Sequence, residues 1–196
     1  YKRQDLTTGP PIAAIRENTR VVSASTIKVS ILCCALQDVM DGKLSLDQPL
    51  AIAPGDFCSD TEVFEPGYRQ DGASLWEMLY WMIVSSDNTA TNTVISLLGY
   101  DHVNGYCRAI GLTQTSLQRK MLDFQAIAEG RNNYTSPADL YRVFSRLYHG
   151  EILNKPLREV AFDFLSRCRS TDALQRYIPD LSLIHISEPT RLDVIS

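Results

Sequence analysis

The stretch from about Thr26 to Met40 constrains this chain more than any other. Ile27, Val29, Ile31, Leu32, Cys33, Cys34, Ala35 and Leu36 put apolar groups nearly all round a helix of that span. Such a helix has no solvent face and belongs at the centre of a fold. Asp41-Gly42 supplies its stop. Lys28 stands at its start, three residues after Ser25. Positions i and i+3 share a helix face, so the Ser25 hydroxyl and the Lys28 amine can meet. A serine hydroxyl is a poor nucleophile without a base beside it, and a lysine held in a dry place can be that base. Backbone N–H groups at a helix N-terminus also favour the oxyanion of acyl transfer. Taken alone, S-x-x-K is a weak signal, because most such pairs are a helix cap followed by a solvated lysine.

A second motif changes the weighing. Ser86-Asp87-Asn88 follows 61 positions after Ser25, within Ser86-Asp87-Asn88-Thr89-Ala90-Thr91-Asn92. By itself this is an ordinary polar turn after a helix. Together with Ala24-Ser25-Thr26-Ile27-Lys28 it resembles the motif pair of the serine β-lactamases and penicillin-binding proteins, at the separation of the class A β-lactamase group. The resemblance runs from about Asp5 to Asp180. It implies an α+β, β-lactamase/transpeptidase-like fold: a helical domain around the Ser25 helix beside an antiparallel sheet, here incomplete. It further implies Ser25 as the acylated nucleophile, Lys28 as its proton acceptor and Ser86 as the relay toward the leaving nitrogen. Asn88 would bind a substrate carbonyl and orient Lys28, and Asp87 would tie down the turn as a structural residue. The backbone N–H of Ser25 would supply one oxyanion donor.

The sequence departs from class A enzymes in two places. No E-x-x-L-N follows the S-D-N helix; the corresponding stretch is Gln118 to Gln125, then Ala126 to Asn133. Asp123 is the nearest acidic candidate for the base of deacylation, ahead of Glu129. An aspartate is one methylene shorter than glutamate, and a loop carboxylate paired with Arg119 is the plainer reading of it. Without that base, an acyl-enzyme is expected to persist. Nor does any lysine follow Lys155, so the K-T-G of the family has no counterpart. The string Leu181 to Arg191 resembles a translated sequencing adapter instead. The domain expected is therefore 1–180, lacking the family's first helix and its last strands and helix, with 181–196 a non-native tail and the chain as it stands inactive.

Composition bounds the alternatives. The charge of −4 and the absence of a basic run argue against a nucleic-acid partner. No stretch reaches the ~18 consecutive apolar residues of a membrane span. Cys33, Cys34, Cys58, Cys107 and Cys168 form neither metal-site spacing nor a disulfide framework. His102, His149 and His185 stand apart in sequence from any Cys or carboxylate cluster. We expect no cofactor and no metal. The resemblance implies a monomer, secreted, periplasmic or on the bacterial cell surface, that acts on a small-molecule substrate, a β-lactam or a peptide-like amide or ester. The alternative is a penicillin-binding or cell-wall-associated module that acylates slowly or not at all.

The local signals set the expected elements. Lys2 to Gly9 and Ile12 to Ile15 read as strands, and Ala51 to Gly72 as a long surface loop. Ser74-Leu75-Trp76-Glu77 is a capping box opening a helix to Val84 whose two tryptophans face the core. Helices follow over Thr89–Leu98 and about His102–Ile110. Ser136 with Pro137 starts one to His149, and Pro156 opens another to about Cys168, before a short one near Asp172 to Tyr177.

Overall fold

The computed structural model describes residues 2–3, 13–59 and 61–168. Residues 4–9 of the strand expected over Lys2 to Gly9, the helix near Asp172 to Tyr177 and the tail at 181–196 lie outside the described residues.

Among the described residues, seven helices carry most of the structure. The central one, α1 (Ile27–Met40), is entered through a 3-10 turn at Ala24–Thr26. Its residues Ile31 through Leu36 are fully buried, as an apolar circumference requires. Around it stand α2 (Leu75–Val84), α3 (Asn88–Leu98), α4 (Tyr100–Ala109), the short α5 (Phe124–Ala128), α6 (Pro137–His149) and α7 (Lys155–Ser166). One apolar cluster joins Leu32 and Leu36 to Met78, Leu79 and Met82 of α2, Val94 and Ile95 of α3, Val103 and Cys107 of α4 and Phe164 of α7.

Among the described residues the strands are short and pair antiparallel in three separate ladders. These are β1 (Lys2–Arg3) with β2 (Ala13–Ala14), β3 (Val21–Val22) with β6 (Tyr134–Thr135), and β4 (Pro49–Leu50) with β5 (Ala73–Ser74). In the second, Val22 lies opposite Tyr134, which places the chain just before Ser25 beside the chain just before α6. In the third, Gly72 has φ +103 and its missing Cβ would lie 1.9 Å from the Leu50 carbonyl oxygen. Only glycine allows that approach.

Local chemistry accounts for the helix ends. The Ser74 hydroxyl accepts from the Glu77 N–H at 3.2 Å, and Ser136 accepts from Asp139 N–H at 3.1 Å. The capping box is only half made, because the Glu77 carboxylate pairs with Arg69 instead. Gly150 takes the left-handed conformation that closes α6.

Two expectations are corrected. The segment 51–72 is irregular, with a 3-10 turn at Pro54–Asp56, but it is not all surface: Phe64 is fully buried and Asp56 is 1% exposed. Trp76 does not enter the core. It remains 39% exposed, stacks on Tyr80 at 5.2 Å and meets the edge of Phe164 on α7. The helical stripe on α2 is wide enough to bury against α1 without it.

Candidate active site

Ser25 sits in the 3-10 turn that leads into α1, exposed, while Lys28 one turn later is 2% exposed. Ala24 before it has φ +45, a sparsely populated region for a residue with a Cβ. The turn is held by the Thr26 hydroxyl donating to the Ser23 carbonyl at 2.6 Å, and by Ser23 N–H donating to the Asn133 carbonyl at 2.9 Å.

The second motif arrives from the gap between α2 and α3. The Trp81 carbonyl accepts from both Ser85 N–H and Asp87 N–H, which folds the chain back at Ser86, itself at φ +59. This aims the Ser86 side chain and carbonyl at Lys28. Lys28 Nζ donates to Ser86 Oγ at 2.8 Å, to the Ser86 carbonyl at 2.6 Å and to Asn88 Oδ1 at 3.0 Å. Ser86 Oγ in turn donates to Ser25 Oγ at 3.0 Å. An unbroken path of hydrogen bonds therefore connects the amine to the Ser25 hydroxyl through a second hydroxyl.

Asp87 faces the other way. It is 2% exposed and caps α3 by accepting from Ala90 N–H at 2.7 Å. Its other oxygen accepts from the Thr61 hydroxyl and from the Val63 N–H at 3.1 Å. It thus anchors the 61–64 segment to the start of α3.

Asp123 does not stand as a free carboxylate in the loop. Its Oδ1 accepts from Ala126 N–H at 2.9 Å and caps the short helix α5. Nor does Arg119 pair with it directly: the guanidinium donates to Asn132 Oδ1 at 2.7 and 3.1 Å and to the Lys120 carbonyl at 2.9 Å. Burial, the largest influence on that guanidinium, pulls its pKa down, with nearby Asp123 opposing. Glu129 is paired with Arg131, which holds its carboxyl below the usual range.

Two residues of this loop system escaped sequence reasoning. Asn92 is 2% exposed; its Oδ1 accepts from Met121 N–H at 2.7 Å, and its amide donates to the Met121 carbonyl at 3.3 Å. Asn133 accepts at Oδ1 from Gln118 and Arg119 N–H at 2.8 and 3.1 Å and donates to the Arg119 carbonyl. A polar amide one turn after Asn88 on a buried helix face was the available signal for Asn92, since buried amides need partners. A cavity of about 380 Å³ lies under this loop, lined by Phe57, Cys58, Asn92, Lys120, Asp123 and Phe124. It does not include Ser25, Lys28 or Ser86.

The histidine reading is also corrected. His102 stands in no Cys or carboxylate cluster in sequence, but α4 brings its Nε2 to 2.6 Å from Asp38 Oδ2 on α1, with Cys34 beside them. Among the described residues no disulfide is formed, and every cysteine but Cys168 is buried.

The helical architecture and the serine–lysine–serine cluster at the head of its central helix define a class, proteins of β-lactamase/transpeptidase fold. Residues 3–188 match the β-lactamase enzyme family, and the chain belongs to it. Among curated proteins it is 30% identical over 166 residues to a β-lactamase of Rhodobacter capsulatus, covering 82% of this chain and 55% of that protein. Among solved structures it is similar to a β-lactamase from Sphaerobacter thermophilus, with a TM-score of 0.74 at 25% identity, covering 88% of this chain and 64% of the other. It is also similar to a PBP-A variant solved as an acyl-enzyme complex with penicillin G, with a TM-score of 0.73 at 27% identity over 80% and 58% of the two chains. The chain spans about half the length of the curated relatives it matches.

Proposed function

We propose that the protein carrying this chain is a serine hydrolase that forms an acyl-enzyme with β-lactams or related amides and esters. The observation that carries the reading is the path from Lys28 Nζ through Ser86 Oγ to Ser25 Oγ. Ser25 Oγ attacks the substrate carbonyl carbon. Its proton passes through Ser86 to Lys28, which must first give up the proton it donates to Ser86 Oγ. As the tetrahedral intermediate collapses, the C–N bond breaks and the proton is returned through Ser86 to the leaving nitrogen, which leaves an ester on Ser25. Asn88, held against Lys28, presents its amide N–H group to a substrate carbonyl. The Ser25 N–H at the start of α1 faces the developing oxyanion. Asp87 acts only as an anchor.

A slowly turning over, penicillin-binding reading is favoured by one specific observation. Asp123, the acidic side chain expected to serve as the base of deacylation, has its Oδ1 engaged as the cap of α5. Under that reading acylation proceeds and hydrolysis of the ester lags. Action on such substrates places the parent protein outside the bacterial cytoplasm, where it would contribute to β-lactam resistance if turnover is fast. Among the described residues no helix is long and apolar enough to cross a membrane.

The test is covalent labelling of the full-length parent protein with a fluorescent penicillin. The label is expected on Ser25 by peptide mass spectrometry and absent from Ser25→Ala. An adduct on another residue overturns the assignment.

A further inference from the structure

We propose that Cys34, Asp38 and His102 form a binding site for a divalent transition-metal ion of the zinc type, separate from the serine centre. Cys34 and Asp38 stand at i and i+4 on α1, so they share one face. His102, in the first turn of α4, approaches the same point from the neighbouring helix. The sulfur, carboxylate oxygen and imidazole nitrogen all lie within 4.8 Å of one another. A tetrahedral zinc ion with ordinary bond lengths needs its donors about 3.4–3.6 Å apart. The cluster therefore closes on an ion with side-chain adjustment alone, the 2.6 Å His102–Asp38 contact opening slightly as the ion replaces the shared proton.

The donor set is chemically selective. Thiolate, imidazole and carboxylate together suit zinc and cobalt, whereas magnesium and calcium favour oxygen throughout. Cys34 is fully buried and Asp38 is 5% exposed, while the His102 side chain is 43% exposed. The ion would thus enter from the histidine side, where water completes the fourth position. On binding, the Cys34 thiol proton and the proton on His102 Nε2 leave through solvent, Nδ1 carrying the one proton of the neutral ring, and one thiolate and one carboxylate balance the two positive charges. Asp38 lies ten residues beyond Lys28 on α1, about 15 Å along the helix, so the site joins α1 to α4 without touching the acylation machinery. Lys43 guards it: its Nζ lies 3.0 Å from Asp38 Oδ1 and 2.9 Å from Asp41 Oδ2. An exposed lysine there competes with an incoming cation.

The experiment is a cobalt(II) titration of the reduced full-length parent protein in a Cys168→Ser background, which removes the exposed thiol. One equivalent is expected to give a near-ultraviolet thiolate-to-cobalt charge-transfer band and intense visible bands of four-coordinate cobalt, both displaced by zinc. His102→Gln, at a half-exposed position that leaves the core intact, should abolish them, as should Cys34→Ala and Asp38→Asn. Lys43→Met should tighten binding roughly three- to tenfold by removing a like charge. Penicillin labelling of Ser25 should be unchanged in His102→Gln. Absence of a charge-transfer band at millimolar cobalt, or a band that survives His102→Gln, overturns the site and leaves an Asp38–His102 ion pair.

Discussion

Asn92 holds Met121 by both ends of its peptide geometry, accepting from its N–H at 2.7 Å and donating to its carbonyl at 3.3 Å. This amide is the main link between α3 and the loop that runs from Gln118 to Asn133. Replacing it with alanine strands a buried donor and acceptor, each costing about 1–3 kcal/mol. Asn92→Ala should therefore lose roughly 2–4 kcal/mol of stability in urea unfolding and open the 119–123 segment to proteolysis. Wild-type stability in that variant would show that the loop is held elsewhere.

Asp87 is the equivalent anchor for the segment in front of α3. Its carboxylate gathers the Thr61 hydroxyl and the N–H groups of Val63 and Ala90. Asp87→Ala leaves several buried donors without a charged acceptor and should cost roughly 3–5 kcal/mol. The loss should appear as a lower Tm, with the surviving folded fraction still labelled on Ser25. If labelling is abolished at full stability, Asp87 has a role in the chemistry.

Lys28 and Ser86 should separate in kinetics. Lys28→Met removes the proton acceptor and should slow acylation ~10²–10⁴-fold, as for loss of a positioned general base. Ser86→Ala should slow it less for activated esters, whose leaving group needs no proton, than for lactams. Stopped-flow acylation rates with both substrate types decide this, and equal losses on both would remove Ser86 from the leaving-group step.

Deacylation should be slow. With Asp123 committed to the α5 cap, the penicilloyl ester should persist after free ligand is removed. The rate deficit expected is again ~10²–10⁴-fold, read by intact-mass spectrometry over time. Rapid multiple turnover of a chromogenic cephalosporin would show that another group positions the water.

Alkaline sensitivity follows from the buried thiols. Burial pushes the Cys107 thiol up to about 11, partly offset by the Ser30 hydroxyl. Between the ordinary thiol range and that value the folded state keeps a proton that the unfolded state has lost. Stability contributed by this group is complete below the unfolded pKa and declines as pH rises toward about 11. The decline is up to about 1.4 kcal/mol per pH unit. Unfolding series from pH 8 to 11 in chelator should be flatter for Cys107→Ala than for wild type. Parallel slopes would mean that the thiol ionises freely in the native state.

Much of the architecture was legible because it depends on near neighbours. The central position of α1 follows from its apolar circumference, the starts of α2 and α6 from Ser74 and Ser136, and the end of α6 from Gly150. Each is a matter of periodicity or of a hydrogen bond spanning three or four residues. The failures share a cause. Trp76 and Phe64 were misplaced because burial depends on which other element arrives, and Glu77 left its capping box because Arg69 came within reach.

The sequence by itself determined which groups could do the chemistry: a serine, an amine one turn on, and a second serine and amide at family spacing. Only the tertiary structure decided which of them meet. Lys28 and Ser86 are 58 positions apart and touch because the chain folds back at a strained Ser86. His102 and Asp38, 64 apart, meet because α4 packs on α1. Asp123, the acidic residue nearest to hand in sequence, was engaged by a helix end that no spacing announced. Local pattern selects conformations through contacts a few residues long, whereas proton paths and ligand sets are built from side chains that only packed helices bring within 3 Å.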